Sequence, residues 1–141
     1  MDDAIFQGAK VIVHSKDIEK QPGIIYIKVA DALDELNRVS NVFYDYPSKK
    51  MRVVGVTGTS GKTVVASMVK SVMDHYCKAA YMGTISLEYD GVEEQCPYTT
   101  PETLYVQKKL FDMARRGVKV VAMEASSHGL ACLLYTSPSP R

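Results

Sequence analysis

Long apolar runs are missing from this 141-residue sequence: none approaches the roughly 18 residues a membrane-spanning helix needs. The start, MDDAIFQGAK, lacks the basic and then apolar design of a secretory signal, so a cytoplasmic location is the expectation. Excess charge is missing too. Lys plus Arg number 17 against 16 Asp plus Glu, which gives no field to draw nucleic acid or an anionic membrane. Cysteine is sparse, and Cys77, Cys96 and Cys132 stand in no CxxC or Cys/His spacing, which argues against a zinc site or a disulfide framework. What is present is ordinary globular usage, 46% hydrophobic and 23% charged, at a length that fits one domain or parts of two.

Elements follow from apolar spacing and breakers. DDAIFQGA reads as a helix stopped at Gly8, KVIVH (Lys10 to His14) as a short buried strand, and IIYIKV after Gly23 as a second strand. A start directly on a helix suggests that an upstream part of this first domain is missing. From Asp31 to Tyr44, Leu33, Leu36, Val39 and Phe43 recur at helical spacing; DYPSKK (Asp45 to Lys50) is the expected linker. MRVVGVT (Met51 to Thr57) then has the continuous apolar character of a strand buried on both faces of a parallel sheet. Lys62 to Tyr76 predicts a helix with one buried stripe, Val65, Met68, Val69, Val72 and Met73. Ala79 to Thr84 predicts a strand, Ile85 to Val92 a small hairpin turning at Asp90 and Gly91, Pro101 to Arg116 a helix, and VKVVAME a last strand. Helices alternating with apolar strands from Met51 onward predict an α/β domain with a mostly parallel sheet.

Between the Met51 strand and its helix stand Gly58, Thr59, Ser60, Gly61, Lys62 and Thr63, where a nucleotide phosphate needs inward-facing amides and a positive helix end. Lys62 would reach the β and γ phosphates, and the Thr63 hydroxyl would ligate magnesium. The strict GxxxxGK[ST] pattern is not met: Val56 stands at its first glycine, with Gly55 one place early. A glycine-rich turn with a surface lysine is the competing reading.

The run GVTGTSGKT, followed in order by YTTPE (Tyr98 to Glu102) and MEASSHGL (Met123 to Leu130), resembles the Mur ligase family, and its MurE-type members in particular. AIFQGAKVIV and FYDYPSKKM resemble the end of that family's UDP-binding domain. The resemblance implies a partial P-loop mononucleotide-binding parallel sheet at 51–131, preceded at 1–50 by the C-terminal part of a smaller α/β UDP-binding domain. It implies ATP and Mg2+ as cofactors and UDP-N-acetylmuramoyl-L-alanyl-D-glutamate plus diaminopimelate or L-lysine as substrates, joined through an acyl phosphate in peptidoglycan synthesis. Residue by residue, Gly58 to Thr63, with Val64 in place of the usual Thr, would hold the ATP phosphates. Thr99, Thr100 and Ser126 would contact the muramoyl peptide, and Thr63 and Glu124 would hold magnesium. Lys62 would carry the catalytic charge. Thr99 and Thr100 beside Pro101 could equally cap a helix, and Glu124 could be a strand-end surface carboxylate.

Agreement with the family stops at Ala131. Cys132 to Arg141, CLLYTSPSPR, resembles the translation of a sequencing-library transposase adapter and is set aside from fold reasoning. The expectation is therefore a fragment truncated at both ends and inactive alone, without the family's amino acid site or its modified lysine. Two other readings stand beside it: a folylpolyglutamate-synthetase-like ligase of the same superfamily, and an ATP-binding module without chemistry.

Overall fold

The computed structural model describes residues 2–83, 86–96 and 103–125, which fall into two compact units, Met1–Leu36 and Asn37 onward. In the first unit, α1 (Asp2–Phe6) ends ahead of Gly8, whose φ of +97° suits a residue without a Cβ. Strands β1 (Val11–His14) and β2 (Ile25–Lys28) pair in parallel from Val11↔Ile25 to His14↔Lys28. The strand at Lys10 to His14 is therefore present but not buried: Val11 is 48% exposed, because a two-stranded ribbon has no second layer over both faces.

Helix α2 (Ala32–Phe43) begins at an Asp31 cap, whose Oδ1 accepts from the backbone N–H groups of Leu33 (2.7 Å) and Asp34 (3.1 Å). Its apolar stripe of Leu33, Leu36, Val39 and Phe43 faces outward, while Asn37, Ser40 and Asn41 are buried. Hydrogen bonding explains the inversion. The Thr103 hydroxyl donates to Asn37 Oδ1, and Asn41 Nδ2 donates to the Asn37 carbonyl at 2.9 Å, so the polar stripe is the one that docks. The segment Asp45 to Lys50 contains a 3₁₀ turn, Pro47–Lys50, with Pro47 buried.

The second unit holds β3 (Arg52–Val56), α3 (Lys62–Met73), β4 (Ala79–Met82), β5 (Ser86–Tyr89), β6 (Val92–Gln95), α4 (Thr103–Arg115) and β7 (Val120–Glu124). Its five strands order as β3-β7-β4-β5-β6. The first three run parallel and β4-β5-β6 antiparallel, so the sheet is mixed, with the hairpin appended to a parallel core. β4 and β7 are buried along their whole length, the pattern expected where both faces are covered. β3 is not: as the edge strand it leaves Val53 and Val54 exposed. The period of two separates the faces. Ala80, Met82, Val121 and Met123 join Leu87, Val106, Leu110 and Met113 in the larger core, whereas Tyr81 and Ala122 meet Ala66 of α3. The stripe expected on α3 is narrower than its spacing suggests. Ala66 and Val69 make the contact with Tyr81 and Ala122, Met73 is half-buried, and Val65, Met68 and Val72 stay exposed.

The hairpin turns where expected, with positive φ at Asp90 (+48°) and Gly91 (+77°), the pair a type I′ turn requires. Asp90 pairs with Lys78 at 2.7 Å and Arg116 at 3.7 Å, and the Lys78 contact holds its carboxyl below the usual carboxylate range. A depressed carboxylate stabilises above its unfolded pKa and loses that contribution as pH falls through the folded value. Thermal unfolding followed from neutral to acidic pH should show a small acid-side fall in melting temperature, shallower in Asp90→Asn.

Candidate functional site

The glycine loop leaves β3 at Thr57 and enters α3 at Lys62. Gly61 sits at the helix N-cap with φ +77° and no side-chain cap, and Gly58 has φ +149°. Both positions favour glycine, since a Cβ is disfavoured at such φ. The 12-residue α3 therefore starts with its first amides uncapped by side chains, beside a lysine. Lys62 Nζ donates to the Gly58 carbonyl at 2.8 Å, arching over the loop it belongs to. Thr59, Ser60, Thr63 and Val64 are exposed here, and the isopropyl group of Val64 offers no polar contact.

Glu124 is the last residue of β7, at the carboxyl end of a strand flanked in parallel by β3 and β4. Register sets it beside Val56, the last residue of β3, and the Ala125 N–H donates to the Val56 carbonyl at 2.9 Å. The carboxylate thus emerges next to the start of the glycine loop, at the sheet end where open α/β folds present ligand-binding groups. It is only 4% exposed, so the surface-carboxylate reading fails.

A buried carboxylate demands a partner, and Tyr81 provides one. The Tyr81 hydroxyl donates to Glu124 Oε1 at 2.5 Å. Tyr81 lies opposite Ala122 on the α3 face, so the pleat puts Glu124, two residues on, along the same face. Burial and then the Glu124 contact push the phenol well above its ordinary range, while the hydroxyls of Thr63 and Ser86 act on it in the opposite direction. Gly83 makes the arrangement possible: a Cβ there would stand 1.9 Å from the Tyr81 hydroxyl and 2.9 Å from Glu124 Oε1. Sequence reasoning missed Tyr81 and Gly83. Their signal was the two-residue spacing of a tyrosine and a glycine at the end of the Ala79–Met82 strand.

The described residues contain no group of three or more His, Cys, Asp or Glu able to cage a metal. One buried carboxylate and one hydroxyl suit magnesium, which takes few protein oxygens and completes its shell with water and phosphate. Thr99, Thr100 and Ser126 lie outside the described residues.

Residues 56–136 match the Mur ligase middle domain, and the chain belongs to the Mur ligase family. Within that family its similarity is to the MurE-type enzymes. It is 36% identical over 132 residues to the UDP-N-acetylmuramoyl-L-alanyl-D-glutamate--2,6-diaminopimelate ligase of Caldanaerobacter subterraneus subsp. tengcongensis, covering 93% of this chain and 27% of that protein. The ligase of the same name from Alkaliphilus oremlandii is 39% identical over 131 residues, again 92% of this chain and 27% of the relative. A solved structure of a UDP-N-acetylmuramoyl-L-alanyl-D-glutamate--2,6-diaminopimelate ligase superposes with a TM-score of 0.75 at 24% identity, over 94% of this chain and 27% of that one. The chain thus spans about a quarter of the length of the relatives it matches.

Proposed function

We propose that this chain supplies the ATP-handling part of a ligase that adds diaminopimelate or L-lysine to UDP-N-acetylmuramoyl-L-alanyl-D-glutamate in peptidoglycan synthesis. The observation that carries this reading is the buried Glu124 carboxylate, held by Tyr81 at the carboxyl end of β7, beside a glycine loop that opens α3. Two oxygen donors next to an uncapped helix end and a lysine suit a metal-bound triphosphate. Magnesium, when bound, neutralises charge on the phosphates. Lys62 adds a fixed positive charge at the β and γ phosphates, and the amides of Gly58 to Thr63 orient them. In the proposed reaction a γ-carboxylate oxygen of the D-glutamyl residue attacks the γ-phosphorus and ADP leaves. The amine of the incoming amino acid then attacks the acyl carbon and phosphate leaves.

Thr99, Thr100 and Ser126 are the proposed contacts to the muramoyl peptide. Diaminopimelate is the acceptor to test first, because the relatives carry it in their names. Residues 1–50 are assigned to the end of a UDP-binding domain, 51–131 to the ATP-binding domain, and 132–141 to an adapter-derived tail, although the family match runs on to residue 136. Re-reading the source DNA from a library prepared without transposase adapters checks that last assignment. No helix among the described residues is long and apolar enough to cross a membrane. A cytoplasmic site of action fits an enzyme using ATP and a UDP-linked substrate.

Titrating the 15N-labelled chain with Mg·ATP tests the site. Amide shifts should concentrate at Gly58 to Thr63 and recede when EDTA removes the metal. A spectrum unmoved at millimolar Mg·ATP rejects the phosphate-loop reading.

A further inference from the structure

The Glu124 carboxylate is held from behind by a residue that no motif contains. Tyr81 is 3% exposed and Glu124 4%, so their 2.5 Å hydrogen bond to Oε1 is shielded from water. A carboxylate gripped at one oxygen presents the other in a fixed direction. Outer-sphere hydrogen bonds of this kind orient the oxygens that ligate a metal. That hydrogen bond ties the end of β4 to the end of β7. Gly83 is shaped around this contact, since any Cβ at that position would overlap the phenol oxygen.

We propose that Tyr81 is a positioning residue for the divalent cation of the nucleotide: by holding Oε1 of Glu124 it leaves Oε2 as the oxygen that ligates the metal. Gly83 serves the same purpose by leaving room for the phenol. This inference rests on the ATP and magnesium reading above and assigns a role to two residues outside the phosphate loop.

Mn2+ is the probe. Its affinity for the ATP-loaded 141-residue chain is read from the free-ion EPR signal, and ATP affinity without metal is measured in parallel. Tyr81→Phe keeps the ring and removes the hydroxyl, so it should weaken Mn2+ binding about tenfold, the lower end of what loss of such an outer partner costs. Metal-free ATP affinity should stay at the unsubstituted value. A purely structural role would lower both affinities together or neither.

Gly83→Ala is the second variant. It keeps the hydroxyl but displaces it from Oε1, and should reproduce the selective loss of Mn2+. Wild-type Mn2+ affinity in both variants overturns the proposal, as does a loss shared equally by metal-free ATP. Lys62→Ala separates the two levels of inference. If it leaves ATP affinity unchanged, the phosphate-loop reading itself fails. If it weakens ATP while Tyr81→Phe and Gly83→Ala bind Mn2+ normally, only the role of Tyr81 fails.

Discussion

Replacing Lys62 with alanine should weaken ATP binding by about 10- to 150-fold, the effect of losing a charged hydrogen bond of about 1.5–3 kcal/mol. The lysine stands at the first position of α3, next to the loop, and its ammonium spans back to the Gly58 carbonyl at 2.8 Å. That contact exchanges readily for a phosphate oxygen, because an ammonium prefers a charged acceptor to a neutral carbonyl. The contact with Gly58 is solvent-exposed, so the substitution should barely move the unfolding midpoint. Isothermal titration with Mg·ATP, paired with a thermal melt, checks both expectations. An unchanged affinity would falsify the assignment of the loop.

The largest effect on stability should come from Met113→Ala. Met113 is fully buried in the core shared by α4 and the sheet, with Leu110, Val106 and Met82 around it. Truncating a buried Met removes transfer free energy and leaves a cavity, together about 2–5 kcal/mol. Met68→Ala provides the contrast. Met68 is 62% exposed on α3, and its loss should stay within about 0.5 kcal/mol. Urea unfolding of the three proteins measures the difference, and equal midpoints for the two variants would contradict the core described above.

Much of this architecture was legible because breakers and apolar periods act locally. Gly8, Asp31, Gly61, the Asp90–Gly91 turn and Gly117 mark element ends by backbone preferences that need no tertiary partner. The glycine loop was legible for the same reason, lying between an apolar strand and a helix of strong period, and Glu124 through its place at the end of an apolar strand. The facing of the helices was not. On α2 an outward apolar stripe and an inward Asn37 and Asn41 invert the usual rule, because the Thr103 partner lies 66 residues away. On β3 an apolar run suggested burial on both faces, yet edge or centre is decided by strand order, which hydropathy does not encode. Tyr81 was hidden likewise: its partner is 43 residues distant, and only the register of β4 on β7 brings them together.

Strand order also has a temporal meaning. β3 and β4 are neighbours in sequence but not in the sheet, for β7 lies between them and hydrogen-bonds to both. During synthesis the parallel core must wait, with an unfilled slot between its first two strands, until the chain has reached residue 124. The strand that fills the slot carries the buried carboxylate at its tip. Closure of the sheet and delivery of the acidic group are therefore a single folding event, and an intermediate lacking β7 has neither a continuous sheet nor the Tyr81–Glu124 pair.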